Sequence, residues 1–465
     1  MSQPLVQRTP IPGLLVVRMD VHADPRGWFR ETWQRERMVA AGLPDFGPVQ
    51  HNVSFNHRRG TTRGIHAEPW DKLVSVTSGR AFGAWVDLRE GPGYGETFTV
   101  VIDPAVAVFV PRGVGNAYQT LDADTAYSYL VNAHWSPEAR YTALDLADPV
   151  VGIRWPVPLD RAEVSDKDRS NPRLADLTPA PPRRSLVLGA DGQVGRALLT
   201  ELPNADGLGR DDVDITDEKR LADVPWGDYD VVLNAAAYTR VDEAETPAGR
   251  EAAWAVNATA PARLARLARE HRFILVHYST DYVFDGTRAE HAEDERLCPL
   301  GNYGQSKAAG DLAVATAPAH YLLRTSWVVG DGRNFVGTMM RLARTGAAPQ
   351  VVDDQVGRLT FADELARASR HLLESQAAYG TYNVTNSGAP TSWADVARAV
   401  FQLSGADPEL VTGITTEAYG AGRSIAPRPR NSALDLAKLR LSGFRSEEAM
   451  TALTRYCMRA QQQRP

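Results

Sequence analysis

Cysteine is nearly missing from this 465-residue chain, which holds only Cys298 and Cys457. Two thiols exclude a disulfide scaffold and a multi-cysteine metal site, and their scarcity fits a reducing cytoplasm. An excess of positive charge is missing too. Lys and Arg total 51 against 57 Asp and Glu, a formal net charge of −6, which argues against nucleic acid or an anionic membrane as partner. No apolar run approaches the roughly 20 residues that cross a bilayer. The start, Met1-Ser2-Gln3-Pro4, lacks a basic-then-apolar leader, and there is no internal repeat. The expectation is a cytoplasmic protein with no nucleic-acid or membrane partner, long enough for two or three domains.

What is present changes character near residue 180. Up to there, short apolar or alternating runs are broken by Gly, Pro and Asp; examples are 73–76, 84–88 and 106–110. They predict an antiparallel barrel or sandwich. Asp176 to Arg184 is rich in proline with little to bury, and reads as a semi-rigid linker. The predicted boundaries are therefore a β domain over 1–175, a linker over 176–184 and a second domain over 185–465. In that second domain, buried-type strands at 185–189, 230–234, 273–277 and 321–324 alternate with helical patterns such as 260–270. Such alternation predicts a parallel, doubly wound sheet.

Two motifs give the second domain its chemistry. Gly189-Ala190-Asp191-Gly192-Gln193-Val194-Gly195 follows the first strand and opens a helix. Its glycines allow backbone to approach a pyrophosphate seated on the helix N-terminus. Near the end of the next strand, Asp211, Asp212 and Asp214 suit the ribose hydroxyl of NAD, and Arg210 suits the phosphate of NADP, so either NADH or NADPH remains open. Further on, Ser279-Thr280-Asp281 precedes Tyr303 and Lys307. Four residues apart on a helix, these last two share a face. The ammonium can lower the phenol's pKa, and the phenol can protonate a ketone oxygen while hydride reaches the carbon.

With Asn234 to Thr239, Val241 to Glu245, His277 to Phe284, Asn302 to Lys307, Arg324 to Val328, Asn334-Phe335 and Asp354 to Gly357, the second domain resembles the extended short-chain dehydrogenase/reductases. Within them it resembles the dTDP-4-dehydrorhamnose reductases. That resemblance implies Tyr303 as proton donor, Lys307 as its partner on the nicotinamide ribose, and Thr280 on the substrate ketone with Asp281 beside it. Gly192, Gln193, Val194, Asp214, Ile215 and Ala235, Ala236 and Ala237 would line the cofactor, and Trp327 would contact the sugar nucleotide. Some such reductases dimerise through a metal held by a glutamate after the glycine loop. This chain has Arg196-Ala197-Leu198 there, so that mode is not expected.

The first domain centres on Thr62-Arg63-Gly64-Ile65-His66, with Lys72, Tyr127-Ser128-Tyr129 and Ser165-Asp166-Lys167-Asp168. A base, a carboxylate, a phenol and cations form a set for moving a proton beside a ketone. Asp24 to Glu31, Gln50 to Ser54, Arg63 to His66, Val86 to Arg89 and Trp155-Pro156 resemble the dTDP-4-dehydrorhamnose 3,5-epimerases, a cupin-type jelly roll. The resemblance implies His66 as base, Asp168 as its partner and Tyr129 as acid. Arg26, Glu31, Gln50, Asn52, Arg63, Lys72 and Lys167 would hold the nucleotide sugar, arginine forks suiting phosphates. It also implies a homodimer through the jelly roll. The chain departs from that family at Ala67-Glu68 (for aromatic-Gln), Gly115 to Tyr118 (for Ala-His-Gly-Phe), His134-Trp135 (for two tyrosines) and Arg140 (for a glutamate). No metal is expected, His66-x-Glu68 lacking a second nearby histidine.

The two halves meet in one substrate. A ketone at C4 acidifies C3 and C5 and is itself reducible. The expectation is a bifunctional enzyme that makes dTDP-L-rhamnose from dTDP-4-dehydro-6-deoxy-D-glucose, epimerising it at C3 and C5 and reducing the C4 ketone with NADH or NADPH. Synthesis of another dTDP-6-deoxyhexose and a non-catalytic, NADP-binding regulatory subunit are the alternatives.

Overall fold

A computed structural model describes residues 4–135, 141–375 and 377–462. They form two compact units, Met1–Pro182 and Arg183–Pro465. Arg140 lies outside the described residues.

The first unit is built from two large antiparallel sheets, as its short runs predict. One runs in the order Leu5–Arg8, Leu15–Arg18, Val106–Val110, Lys72–Ser78, Thr125–Val131 and Gln50–Asn56. The other runs Thr142–Ala143, Thr61–Ala67, Val114–Thr120, Ala81–Asp87 and Thr97–Ile102, with Glu163–Val164 parallel to Thr61–Ala67. Strand Lys72–Ser78 reads as one apolar run because both its faces are covered. Val74 and Val76 pack with Trp85, Val108 and Tyr127, while Leu73 packs with Met38, Phe46 and Phe109 on the opposite side. Full burial of each such side chain contributes about 1.5–3 kcal/mol. Strand Gln50–Asn56 ends its sheet with one face uncovered, leaving Val53 and Phe55 exposed.

The proline-rich stretch differs from a free tether. Leu174–Asp176 forms a 3₁₀ turn around buried Leu174. Ala180 then exchanges backbone hydrogen bonds with Leu88 and Glu90 of the first unit. Proline leaves a residue like Ala180 extended, with its own N–H and C=O free to pair. The segment up to Pro182 is thus fastened to the β unit.

The second unit holds a six-stranded parallel sheet in the order Asp206–Leu208, Arg184–Leu188, Tyr229–Asn234, Ile274–Thr280, His320–Thr325 and Gly380–Asn383. Its strands are buried on both faces. Leu186 and Leu188 face a core with Leu264, Ala265 and Trp226, and Val187, Leu233 and Val276 face a core with Leu198, Leu365 and Leu372. Helix Ala260–His271 falls where the periodicity places it and ends on Arg272, which takes a left-handed φ of 58°. A third core gathers around Val336, Met339, Val400, Phe401 and Leu453.

Candidate active sites

In the first unit the strand Thr61–Ala67 carries His66 across from Asn116 on Val114–Thr120. Gly64, two residues before the histidine, has φ 127°, and a Cβ there would stand 2.4 Å from that of Ala117. Only glycine lets the two strands approach so closely. Asp168 arrives on the short helix Asp166–Arg169, capped by the Ser165 hydroxyl, which accepts a hydrogen bond from the Asp168 amide at 3.1 Å. Its buried carboxylate meets His66 Nε2 at 2.7 Å. Nδ1 is then the ring nitrogen left to accept a proton.

His66 opens onto a pocket of about 260 Å³. Arg63, Lys72, Tyr129, Lys167 and Asp168 line it with His66. Buried Lys72 meets the Glu68 carboxylate at 2.6 Å, and Trp70 Nε1 donates to the same oxygen at 2.8 Å. Burial raises the pKa of Tyr129, and the nearby Glu68 charge adds to it. The phenol is therefore protonated at neutral pH and able to donate. Behind it, fully buried Tyr127 donates to Asn116 Oδ1 at 3.1 Å and stacks on Tyr118 with ring centroids 3.9 Å apart.

Four residues expected at the substrate stand elsewhere. Arg26 is exposed and paired with Asp24 at 2.5 Å. Glu31 pairs with Arg37 at 2.6 Å. Gln50 donates to Asn52 Oδ1 at 2.9 Å on the open edge strand, where Asn52 lies beside Tyr129 in register. None of the four lines the pocket. Conversely, Ser54, Asn116 and Tyr118 line it without having been picked out as site residues. A lone Asn or Tyr within a strand carries no sequence signal of its own. Of the departures from the family pattern, Glu68, Asn116 and Tyr118 thus fall in the pocket itself.

In the second unit the glycine loop joins strand Arg184–Leu188 to helix Gln193–Glu201. A Cβ on Gly195 would stand 2.2 Å from the Gly189 carbonyl oxygen, and one on Gly189 2.6 Å from the Ala236 nitrogen. Both positions demand glycine. Gly192 caps the helix with no side-chain partner, so its first amides face outward as anion donors. Gln193 Oε1 accepts from the Gly330 amide at 2.8 Å, and the Arg196 guanidinium donates to the carbonyls of Asp191 and Asp331. Next to the loop, a cleft of about 660 Å³ is lined by Gly192, Gln193, Val194, Ala235 and Ala237 at one end and by Thr280, Asp281, Tyr303, Lys307 and Trp327 at the other. Loop, helix terminus and elongated cleft fit a dinucleotide. Asp214 and Ile215 do not line it: the Asp214 carboxylate accepts from Thr216 N and Oγ1 at 2.9 and 2.7 Å, and Ile215 is buried in the core.

Helix Asn302–Val314 positions Tyr303 and Lys307. Glu245 fastens its start, accepting from the Asn302 amide at 2.8 Å, a carboxylate at the positive end of a helix. Lys307 Nζ donates to the Tyr278 carbonyl at 2.5 Å. The expected depression of the Tyr303 phenol is absent: burial and then the Asp281 charge raise its pKa, against a hydrogen bond with Thr280 that lowers it. Burial lowers Lys307 to about 8 and raises Asp281 to about 6. The Thr280 hydroxyl donates to Asp281 Oδ1 at 2.9 Å and accepts from the Tyr282 amide at 3.2 Å. Trp327, with a φ of 46°, stacks on Trp393 with centroids 3.7 Å apart. Trp393 also lines the cleft; 66 positions from Trp327, it has no local signal linking the two.

Comparison with known proteins places both units. The family model described as "dTDP-4-dehydrorhamnose 3,5-epimerase" matches residues 8–176, and that described as "RmlD substrate binding domain" matches 183–462. A protein of Streptococcus pyogenes named "Protein RmlC homolog" is 46% identical over 180 residues, covering 37% of this chain and 90% of the relative. A Streptomyces antibioticus protein named "Probable dTDP-4,6-dihydroxy-2-methyloxan-3-one 4-ketoreductase" is 40% identical over 270 residues, 56% of this chain and 90% of the relative. The crystal structure of a dTDP-4-dehydrorhamnose reductase from Bacillus anthracis in complex with NADP is 31% identical, with a TM-score of 0.56 over 60% of this chain and 99% of that one. The chain belongs to the dTDP-4-dehydrorhamnose 3,5-epimerase family through its first unit and to the RmlD reductase family through its second.

Proposed function

We propose that this chain makes dTDP-L-rhamnose from dTDP-4-dehydro-6-deoxy-D-glucose, inverting C3 and C5 in the first unit and reducing the C4 ketone in the second. One observation carries the reading: a single chain holds a His66–Asp168 pair facing Lys72 and Tyr129, and a Thr280–Tyr303–Lys307 cluster beside a dinucleotide-shaped cleft. In the first pocket His66 Nδ1 removes the proton beside the ketone, leaving Nε2–H on Asp168. Lys72 stabilises the negative charge that spreads to the ketone oxygen, and Tyr129 returns a proton from the opposite face. Arg63 and Lys167 hold the phosphates.

In the second site the reduced nicotinamide, when bound, supplies the hydride. Tyr303 gives its proton to the ketone oxygen, Thr280 orients that oxygen, and Trp327 covers the sugar. Asp212 and Asp214 already accept from the Gly209 amide and from Thr216, while Arg210 is exposed and pairs with Asp214 at 3.7 Å. That set supports NADPH, the ribose phosphate finding a cation and no unengaged carboxylate at these two positions.

The first unit pairs with a second copy of itself. Exposed Trp28, Phe29, Val53 and Phe55 support this, as does the position of Arg26 and Glu31 outside their own pocket. Sedimentation of the full chain tests it, a concentration-independent monomer refuting it. No helix among the described residues is long and apolar enough to cross a membrane, in keeping with work on a cytoplasmic sugar nucleotide.

Incubation with the 4-keto sugar and NADPH or NADH, with proton NMR of the product, tests the whole. The expected result is dTDP-L-rhamnose and one dinucleotide oxidised per sugar. The Streptomyces antibioticus relative favours a second reading, reduction to another dTDP-6-deoxyhexose, which the same spectrum distinguishes by the configuration at C3, C4 and C5.

A further inference from the structure

Behind Lys307 lies a carboxylate that the reduction just described does not use. Asp311 follows Lys307 by four residues on helix Asn302–Val314, so the two side chains share a face. Both are buried, at 2% exposure each. Arg324 of the neighbouring strand is buried too and donates from Nε to Asp311 Oδ2 at 3.0 Å. A second arm of Arg324 is spent on the Glu293 carbonyl at 2.8 Å. The Ser279 hydroxyl also faces Asp311, whose Oδ1 makes no hydrogen bond of ordinary geometry.

The region therefore encloses two cations and one anion. From the strand Ile274–Thr280, His277 faces Lys307, and Tyr278 meets it only through its backbone carbonyl, its phenol hydrogen-bonding Ser369. Burial holds the imidazole neutral, its pKa pushed well down with Lys307 adding to the effect, and holds the Tyr278 phenol neutral by raising it. Tyr303, on the same helix, is kept neutral in the same way. Asp281 is charged only above about 6. Burial raises Asp311 itself, and Arg324 pulls it back towards the carboxylate.

We propose that Asp311 is a positioning residue that acts through Lys307: it is the counter-ion that keeps the buried ammonium charged and aimed along the Tyr278 carbonyl into the cleft, a charge it shares with Arg324. Burial alone pushes a lysine down by several units, and an anion a few ångströms away restores part of the loss. Lys307 stands at about 8, with Asp311 the group that raises it against burial. Without Asp311, the buried ammonium loses the one group that raises it against burial. Arg324 in turn holds Asp311 towards its charged form.

The proposal rests on the reading of Lys307 as the partner of Tyr303, but its test does not. The chain has five lysines, Lys72, Lys167, Lys219, Lys307 and Lys438, so the full-length protein labelled with 13C at lysine Cε gives a spectrum simple enough to titrate. Lys307→Met assigns the signal. Asp311→Asn should lower the Lys307 midpoint by about one to three pH units, and Asp311→Glu should restore the wild-type value within about half a unit. A midpoint that stays put in Asp311→Asn overturns the proposal. If Asp311→Asn does not fold, the 13C signal of the Asp311 carboxyl in the wild-type protein decides: a carboxyl still protonated at the Lys307 midpoint overturns the proposal. Wild-type protein that titrates as described yet never oxidises NADPH would overturn the reductase reading instead.

Discussion

Replacing Asp168 by Asn separates the two halves of the chemistry most cleanly. The carboxylate accepts from His66 Nε2 at 2.7 Å and from the Gly64 amide at 3.4 Å, and its side chain is 6% exposed. An Asn side chain of the same shape has one accepting atom and one donating group. With its oxygen towards His66, its NH₂ opposes the Gly64 N–H, donor against donor in a buried site. Turned over, it offers His66 a donor and moves the imidazole proton to Nδ1, the nitrogen that must be free to act as base. The second orientation, which avoids that clash, loses the general base, a contribution of about 10²–10⁴ in rate, or roughly 3–5 kcal/mol. The assay is deuterium uptake from D₂O at C3 and C5 of the 4-keto sugar, followed by proton NMR. Exchange should fall by that factor, while NADPH oxidation with already epimerised substrate stays unchanged. A folded Asp168→Asn protein that exchanges as fast as wild type refutes the assignment of His66 and its partner.

Other outcomes follow from the second unit. Tyr303→Phe should cut NADPH oxidation by about 10²–10⁴ and leave deuterium exchange intact; surviving oxidation removes Tyr303 from the mechanism. Asp281 is raised by burial from 3.8 to about 6, so the folded state favours its neutral form. The stability it contributes is complete below about pH 4 and is lost as pH climbs to about 6, above which the buried charge costs about 3 kcal/mol. Asp281→Asn should therefore gain on wild type by that amount between pH 4 and pH 8, read from amide exchange in strand Ile274–Thr280; a gap that ignores pH contradicts the burial argument. Gly195→Ala places a methyl 2.2 Å from the Gly189 oxygen, which must shift the loop. Calorimetric NADPH affinity should drop at least about tenfold, or 1.4 kcal/mol; wild-type affinity would show that the loop does not set the binding geometry.

Much of this architecture was legible in the sequence because its signals are local. The strand ending at Leu188, the glycine turn and the helix after it lie within 18 residues, and period and glycine spacing are enough to read them. Tyr303 and Lys307 are one helical turn apart. What escaped was set by contacts and burial that spacing does not report. Asp214 resembles a ribose ligand until Thr216 takes its carboxylate. The Tyr303–Lys307 spacing suggests a lowered phenol, but spacing does not report burial or Asp281. Trp393 reaches Trp327 only through the packing of a separate helix. In the first unit, residues matched by pattern divide between a pocket and an exposed hairpin and edge strand, where Arg26 and Gln50 stand.

The chemistry itself imposes an order on the two sites. Proton removal at C3 and C5 needs the C4 ketone as electron sink, and it exchanges like groups for like, so it comes to rest near equilibrium. Hydride transfer consumes the ketone. Once C4 is an alcohol the neighbouring hydrogens lose their acidity, and His66 has nothing left to remove. Reduction therefore draws the mixture forward by mass action and also locks the configuration it selects. The selection belongs to the second cleft, where Trp327 and Thr280 would fix which epimer presents its ketone to Tyr303. The first pocket needs only to interconvert isomers, a task that the proposed reading gives to His66, Asp168, Lys72 and Tyr129, with Glu68 and Asn116 beside them. Joining the units on one chain then fixes their ratio at one to one, so that epimers form beside an equal number of the sites that trap them.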